Sequence, residues 1–260
     1  MKVTSKDGTQ IAYDKQGNGE PLILVDGALC SRDFGPMPEL AKLLAPHFTV
    51  INYDRRGRNE SGDTQPYAPE REVEDIEALI NALGGSAFVA GVSSGAALGL
   101  RAAASGLNIK KLALYEAPFM VDKTGHQAPP DSQAKLQALV DSGDRAGAVK
   151  YFMRDMVNVP AFVVFIMKIM PIFKKLKAVA HTLPYDAAVM GDFSLPTKIA
   201  ASVKTPTLVG GGDKSPVYMQ KAVKQLADAI PNAELMMFKG QTHNISVKVL
   251  APALVTFFTR

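Results

Sequence analysis

The sequence predicts an α/β fold: an eight-stranded, mostly parallel sheet flanked by helices, with a helical cap inserted after the sixth strand. Three observations lead there. Short apolar runs rich in β-branched residues alternate with helix-period segments over most of the chain, which is the pattern of repeated βαβ units. The 260 residues are 47% hydrophobic and 21% charged, enough to bury one core without division into domains. One long interval, residues 116–205, interrupts the alternation with helical patterns and no convincing β run.

Taken in order, Lys2 to Thr4 and Thr9 to Tyr13 read as a hairpin closed through Lys6-Asp7-Gly8, because Asp-Gly supplies the positive φ angles of a tight turn. The runs PLILV (21–25), FTVIN (48–52), AFVA (87–90), KLALY (111–115), PTLV (206–209) and AELMMF (233–238) follow. They are apolar almost throughout, as strands covered on both faces should be. Between them, Val73, Ile76, Ile80 and Leu83 share one helical face ahead of Gly84-Gly85, and Met219, Val223, Leu226 and Ile230 share another. Val247, Leu250, Leu254 and Phe257 give the last helix its apolar stripe. Within the long interval, residues 131–140, 145–157 and 160–180 have helical character, with Pro160 and Pro171 at a start and a kink. The expected division is a core of residues 1–119 and 201–260 with a cap over 120–200.

Composition removes several classes of function. A single cysteine, Cys30, allows neither an internal disulfide nor a cysteine metal site. The four histidines, His47, His126, His181 and His243, lack HxH or HExxH spacing, so neither a metal nor another cofactor is expected. The net charge of +4 comes from dispersed basic residues with no aromatic-interleaved run, which argues against nucleic acid. The most apolar stretch, residues 160–173, is interrupted by Lys168 and Pro171 and falls short of the roughly 20 residues a span requires, so no membrane partner is expected. The N-terminal MKVTSKDGTQ has no apolar segment of a signal peptide, which makes the cytoplasm the expected location.

Chemistry concentrates after the run 87–90, at Gly91-Val92-Ser93-Ser94-Gly95 followed by the helix-forming AALGLRAAA. The bare GxSxG pattern is common; between a strand and a helix it describes a sharp turn that lifts the serine hydroxyl over the end of the sheet. Glycines are needed where side chains would collide with that turn. The helix begins at once, so its unpaired N–H groups and positive dipole end face whatever Ser93 attacks, and the Ser94 N–H is a candidate oxyanion donor. A second donor is expected from the loop after residues 21–25, at Ala28. A serine needs a base to take its proton. His243, in GQTHN between the last strand and the last helix, stands at the same carboxyl edge of the sheet. His47 precedes a strand and so lies at the opposite edge, and His126 and His181 fall in the cap.

These motifs resemble the α/β-hydrolase superfamily, in particular its compact bacterial esterases and haloperoxidase-like members. The resemblance covers the chain apart from the cap. It includes YDRRGRNESG (53–62), similar to the DxRGxGxS loop of that family, to which no chemistry is assigned. Two departures stand out. The family usually has His-Gly after its third strand, where this chain has Asp26-Gly27, a carboxylate beside the expected oxyanion hole. The usual acid follows the strand after the cap, and there Ser215 takes its place, with Asp213 two residues early. Glu116, in LYEAP after the sixth strand, is the rival, since relatives such as haloalkane dehalogenases take their acid from that strand end.

The expected function is hydrolysis of a carboxylic ester or lactone without a cofactor. Ser93 is the nucleophile, His243 the base, Glu116 or Asp213 the acid, and Ser94 and Ala28 the oxyanion donors. Perhydrolysis or carbon–carbon bond cleavage by the same serine is the sister reading, and a binding protein that has kept the pocket without the chemistry is the reading from another class. Phe162, Phe165, Ile166, Met167, Met170 and Phe173 point either to a greasy small-molecule substrate or to packing of the cap on the rest of the chain.

Overall fold

The structure is a computed structural model that describes residues 1–123 and 125–260. Eight strands form one sheet: β1 (Lys2–Thr4), β2 (Gln10–Gln16), β3 (Pro21–Val25), β4 (Thr49–Tyr53), β5 (Ala87–Val92), β6 (Ile109–Tyr115), β7 (Thr207–Gly212) and β8 (Ala233–Phe238). Their order is β1-β2-β4-β3-β5-β6-β7-β8. β1 and β2 pair antiparallel, β2 joins β4 antiparallel, and every later pairing is parallel. The hairpin read from Asp7-Gly8 is therefore the sheet's antiparallel edge.

Strand alternation divides the core into two layers. On β3, Leu22 and Leu24 face the layer that holds Met37, Leu40 and Leu44 of α1 (Met37–Leu44) and Leu250, Leu254 and Phe258 of α11 (Val247–Thr259). Ile23 and Val25 face the other layer, with Ile76 and Leu79 of α2 (Pro69–Ala82), Leu98 of α3 (Ser94–Ala104), and Val223 and Leu226 of α10 (Val217–Ala229). β4 (TVINY) is buried at all of its five positions, and its two polar side chains are hydrogen-bonded, Thr49 to the Gly19 carbonyl and Asn52 to that of Arg32.

Between β6 and β7 the chain is helical: α4 (Ser132–Asp141), α5 (Arg145–Tyr151), a π-helical turn (Phe152–Met156), α6 (Ala161–Ile169), α7 (Ile172–Val179), a 3₁₀ turn (Ala180–Thr182), α8 (Leu183–Met190) and α9 (Thr197–Ser202). Pro171 separates α6 from α7 instead of kinking one helix, because α6 ends at Met170, whose ψ of 148° is extended. α9 packs on α3 and α10 and so rejoins the helical layer of the sheet, while α8 lies across α2 and α3.

Candidate active site

β5 ends at Val92 and α3 begins at Ser94, which leaves Ser93 in the turn with φ 55° and ψ −129°. A serine at positive φ is strained, and the neighbours that hold it there are glycines for steric reasons. A Cβ on Gly91 would lie 2.4 Å from the Gly95 carbonyl oxygen, and one on Gly95 would lie 2.3 Å from that of Val25.

The Ser93 hydroxyl oxygen is 3.2 Å from His243 Nε2, and His243 Nδ1 is 2.9 Å from Glu116 Oε2. Glu116 stands just past β6 at φ 43° and its N–H donates to the Gly210 carbonyl. Its Oε1 accepts from the Gly212 N–H at 2.7 Å and from the Ser215 hydroxyl at 2.5 Å. The carboxyl is fully buried, whereas the imidazole is about one-third exposed at 32%. The histidine loop is pinned as well. Tyr115 donates its hydroxyl to the Thr242 carbonyl at 2.6 Å, and the Lys214 N–H donates to that of Gln241 at 2.9 Å. A Cβ on Gly212 would sit 2.2 Å from the Gln241 oxygen, so the last glycine of GGG admits this loop.

Asp213 is not part of the arrangement. Its Oδ1 accepts from the Gly240 N–H at 2.7 Å, closing the turn after β8, and the carboxylate facing His243 is that of Glu116.

Ala28 and Ser94 line one cavity with Ser93 and His243. Ser94 opens α3, so its N–H has no partner one turn back. Gly27 presses on Ser93, for a Cβ there would lie 3.0 Å from Ser93 Cβ. Asp26 is buried and turned away from the cavity lining: Oδ1 accepts from the Gly27 N–H at 2.9 Å, and Oδ2 has only the weakly donating Cys30 thiol beside it. Burial pushes its carboxyl up to about 7, against the Gly27 N–H and the Arg58 and Arg55 charges that pull the other way.

The loop YDRRGRNESG, assigned no chemistry from sequence, secures the wall of the site. Arg55 donates twice to Glu72, at 2.7 Å each, and once to Asp186 Oδ1 at 2.7 Å. Arg58 donates to both Asp186 oxygens, at 3.0 and 2.8 Å, and through Nη1 to the carbonyls of Gly27 at 2.6 Å and Cys30 at 3.0 Å. Ser94 donates its hydroxyl to Asp186 at 2.7 Å. Burial raises the Asp186 carboxyl, but Arg58 and Arg55 outweigh it and hold the group below the ordinary carboxylate range. Sequence reading missed Asp186; the available signal was a lone carboxylate in the apolar run LPYDAAVM, a position that demands a charged partner.

The cavity measures about 210 Å³. Its wall is Met120, Met156, Met190, Met219, Phe152 and Phe193, with Tyr218 and His126 adding polar edges. The π-helical turn supplies Phe152 and Met156, a use such turns often serve. The apolar residues named from the sequence for a substrate wall or for packing do not line the cavity. Phe162, Phe165, Ile166 and Met170 are exposed on the outside of α6, Phe173 is buried beneath α7, and Met167 packs on the core cluster. Periodic apolar residues in a helix mark a face without saying which way it points, and on α6 most of them point outward. No group of three or more His, Cys, Asp or Glu among the described residues is placed to hold a metal ion.

A profile of the alpha/beta hydrolase family matches residues 22–253. The chain belongs to this family. Among solved structures, this family member is similar to an alpha/beta hydrolase from Sphaerobacter thermophilus, with 52% identity over 99% of this chain and 100% of that one and a TM-score of 0.93. An enol-lactonase from Burkholderia xenovorans shares the fold, with a TM-score of 0.73, 22% identity and full coverage of both chains (100% each). The uncharacterized hydrolase YraK of Bacillus subtilis is 34% identical over 97 residues, 36% of this chain, and the match spans only 35% of YraK's length.

Proposed function

We propose that this α/β-hydrolase family member hydrolyses carboxylic esters or lactones of apolar acids through an acyl-enzyme. The observation that carries the reading is the continuous chain from Ser93 through His243 to Glu116 at the wall of an apolar cavity. Glu116 accepts the Nδ1–H, which leaves Nε2 as the acceptor for the serine proton and stabilises the imidazolium formed on attack. Ser93 Oγ bonds to the acyl carbon as its proton passes to Nε2, and the Ala28 and Ser94 N–H groups hold the resulting oxyanion. His243 returns the proton to the leaving alkoxide as the carbon–oxygen bond breaks. Water then attacks the acyl carbon with its proton going to the same nitrogen, and as the carbon–Oγ bond breaks His243 returns that proton to Ser93 Oγ and the acid is released.

Methionine and phenylalanine walls favour an apolar acyl group. Enol-lactone hydrolysis by a fold relative is consistent with the lactone arm of the proposal. The test is turnover of p-nitrophenyl butyrate together with labelling by an alkyl phosphonate. One phosphonate per chain on Ser93, and loss of turnover on the order of 10³-fold or more in Ser93→Ala, are expected. A folded protein that neither turns over esters nor accepts the label would instead support a binding protein.

A further inference from the structure

We propose that α6 and α7 form a docking face for an anionic lipid surface, against which the protein rests with its cavity mouth beside the lipid. α6 presents Phe162, Phe165 and Ile169 to solvent at 67%, 69% and 77% exposure, with Ile166 and Met170 beside them. Only Val164 of this nine-residue helix is buried. A helix this apolar is ordinarily a core element; here its greasy side has no covering element among the described residues.

Charge specifies the occupant. Residues 156–185 contain Lys168, Lys174, Lys175 and Lys177 and no acidic residue, so this one segment holds a charge excess equal to the +4 of the whole chain, and the remainder is neutral. All four lysines are exposed. Lys175 reaches Asp33 at 3.7 Å and Lys177 lies over the Phe173 ring, while Lys168 and Lys174 have no carboxylate partner among the described residues. α7 buries Phe173, Leu176 and Val179 and turns its lysines outward, so apolar and cationic surfaces lie on consecutive helices. That combination is what an interfacial helix needs to enter the headgroup region of an anionic layer. A second copy of the chain is the poorer occupant, because a twofold contact on this face would bring two sets of lysines together.

The face is also joined to the cavity. Val157, which precedes α6, lines the cavity wall and is 43% exposed. An apolar substrate dissolved in the lipid would thus meet the pocket without crossing water. Such docking needs no spanning segment, and no helix among the described residues is long and apolar enough to span.

The chain has no tryptophan, so Phe165→Trp provides a single fluorescent reporter in the centre of the face. Phosphatidylglycerol vesicles should shift its emission to the blue and phosphatidylcholine vesicles should not, and added salt should weaken the effect. Wild-type protein should co-sediment with the same vesicles, which covers the case in which the reporter variant misfolds. Lys168→Ser with Lys174→Ser should lower vesicle affinity by about tenfold or more, since each lysine near an anionic surface contributes roughly a fivefold factor. Phe162→Ser with Ile169→Ser should abolish binding and leave turnover of a soluble ester unchanged. Absence of co-sedimentation, equal binding to both vesicle types, or a lipid-free blue shift that grows with protein concentration as the mass doubles would each overturn the proposal, the last in favour of a dimer.

Discussion

Replacing Glu116 by glutamine should stop the chemistry by moving one imidazole proton to the wrong nitrogen. The glutamine carbonyl must take over Oε1, because the Gly212 N–H at 2.7 Å can only donate and would face another donor if the amide were reversed. The amide NH₂ then faces His243 Nδ1, 2.9 Å from the present Oε2. An amide N–H forces Nδ1 to accept, so the ring proton moves to Nε2, the nitrogen 3.2 Å from the Ser93 oxygen. The base is then blocked at the atom where it should act. A carboxylate-to-amide change of this kind costs on the order of 10⁴ in kcat, or about 5.5 kcal/mol of barrier. Asp213→Asn keeps a carbonyl for the Gly240 N–H and should stay within about twofold of the parent, as substitutions away from a site usually do. The assay is kcat/KM on p-nitrophenyl butyrate, with circular dichroism and melting curves to show that both variants fold. A folded Glu116→Gln protein within about tenfold of the parent would refute the tautomer argument, as would an equal loss in Asp213→Asn.

Two further outcomes follow from buried charge. The Asp26 carboxyl, raised from 3.8 to about 7 chiefly by burial, binds its proton more tightly folded than unfolded, so its stability contribution is complete below pH 4 and is lost as pH rises through 7. The shift corresponds to at most about 4 kcal/mol, so denaturant titrations between pH 5 and 9 should show wild-type stability declining more steeply than that of Asp26→Asn, and parallel curves would contradict the assignment. Asp186→Asn leaves the buried Arg58 guanidinium without its carboxylate partner, while Arg55 keeps Glu72, and chemical denaturation should show a loss of about 3–5 kcal/mol; a loss below about 1 kcal/mol would mean that the carbonyls of Gly27 and Cys30 suffice for Arg58.

The strands and the nucleophile turn were legible because their signals are local. Apolar runs of four to six residues give the parallel strands, Asp7-Gly8 gives the edge hairpin, and two glycines around a serine give a turn in which Gly91 and Gly95 leave no room for a Cβ. What was illegible depends on which way a side chain points after the helices between β6 and β7 have packed. Of the apolar residues of α6 that read as a cavity wall or packing surface, Met167 packs on the core while Phe162, Phe165 and Ile166 face outward, and the wall is built from methionines scattered over Met120, Met156, Met190 and Met219. Asp186 was passed over for the same reason, since its partners Arg55 and Arg58 lie more than a hundred residues away in sequence.

The choice between Glu116 and Asp213 was open in the sequence for a reason the sheet explains. β6 and β7 are neighbours, with Tyr115 opposite Gly210, and strands lie about 4.8 Å apart. A carboxylate that leaves the end of β6 therefore has one strand spacing to cross before it reaches the place where the family usually puts an acid after β7. Glutamate is one methylene longer than aspartate, and the positive φ of Glu116 turns its side chain across that gap. At the usual position stands Ser215, whose hydroxyl donates to the same Glu116 oxygen that the Gly212 N–H holds. Ser215 thus supports a carboxylate that the neighbouring strand β6 supplies. Counting along the chain cannot see this exchange, because it conserves the location of a carboxylate in space while changing which strand carries it.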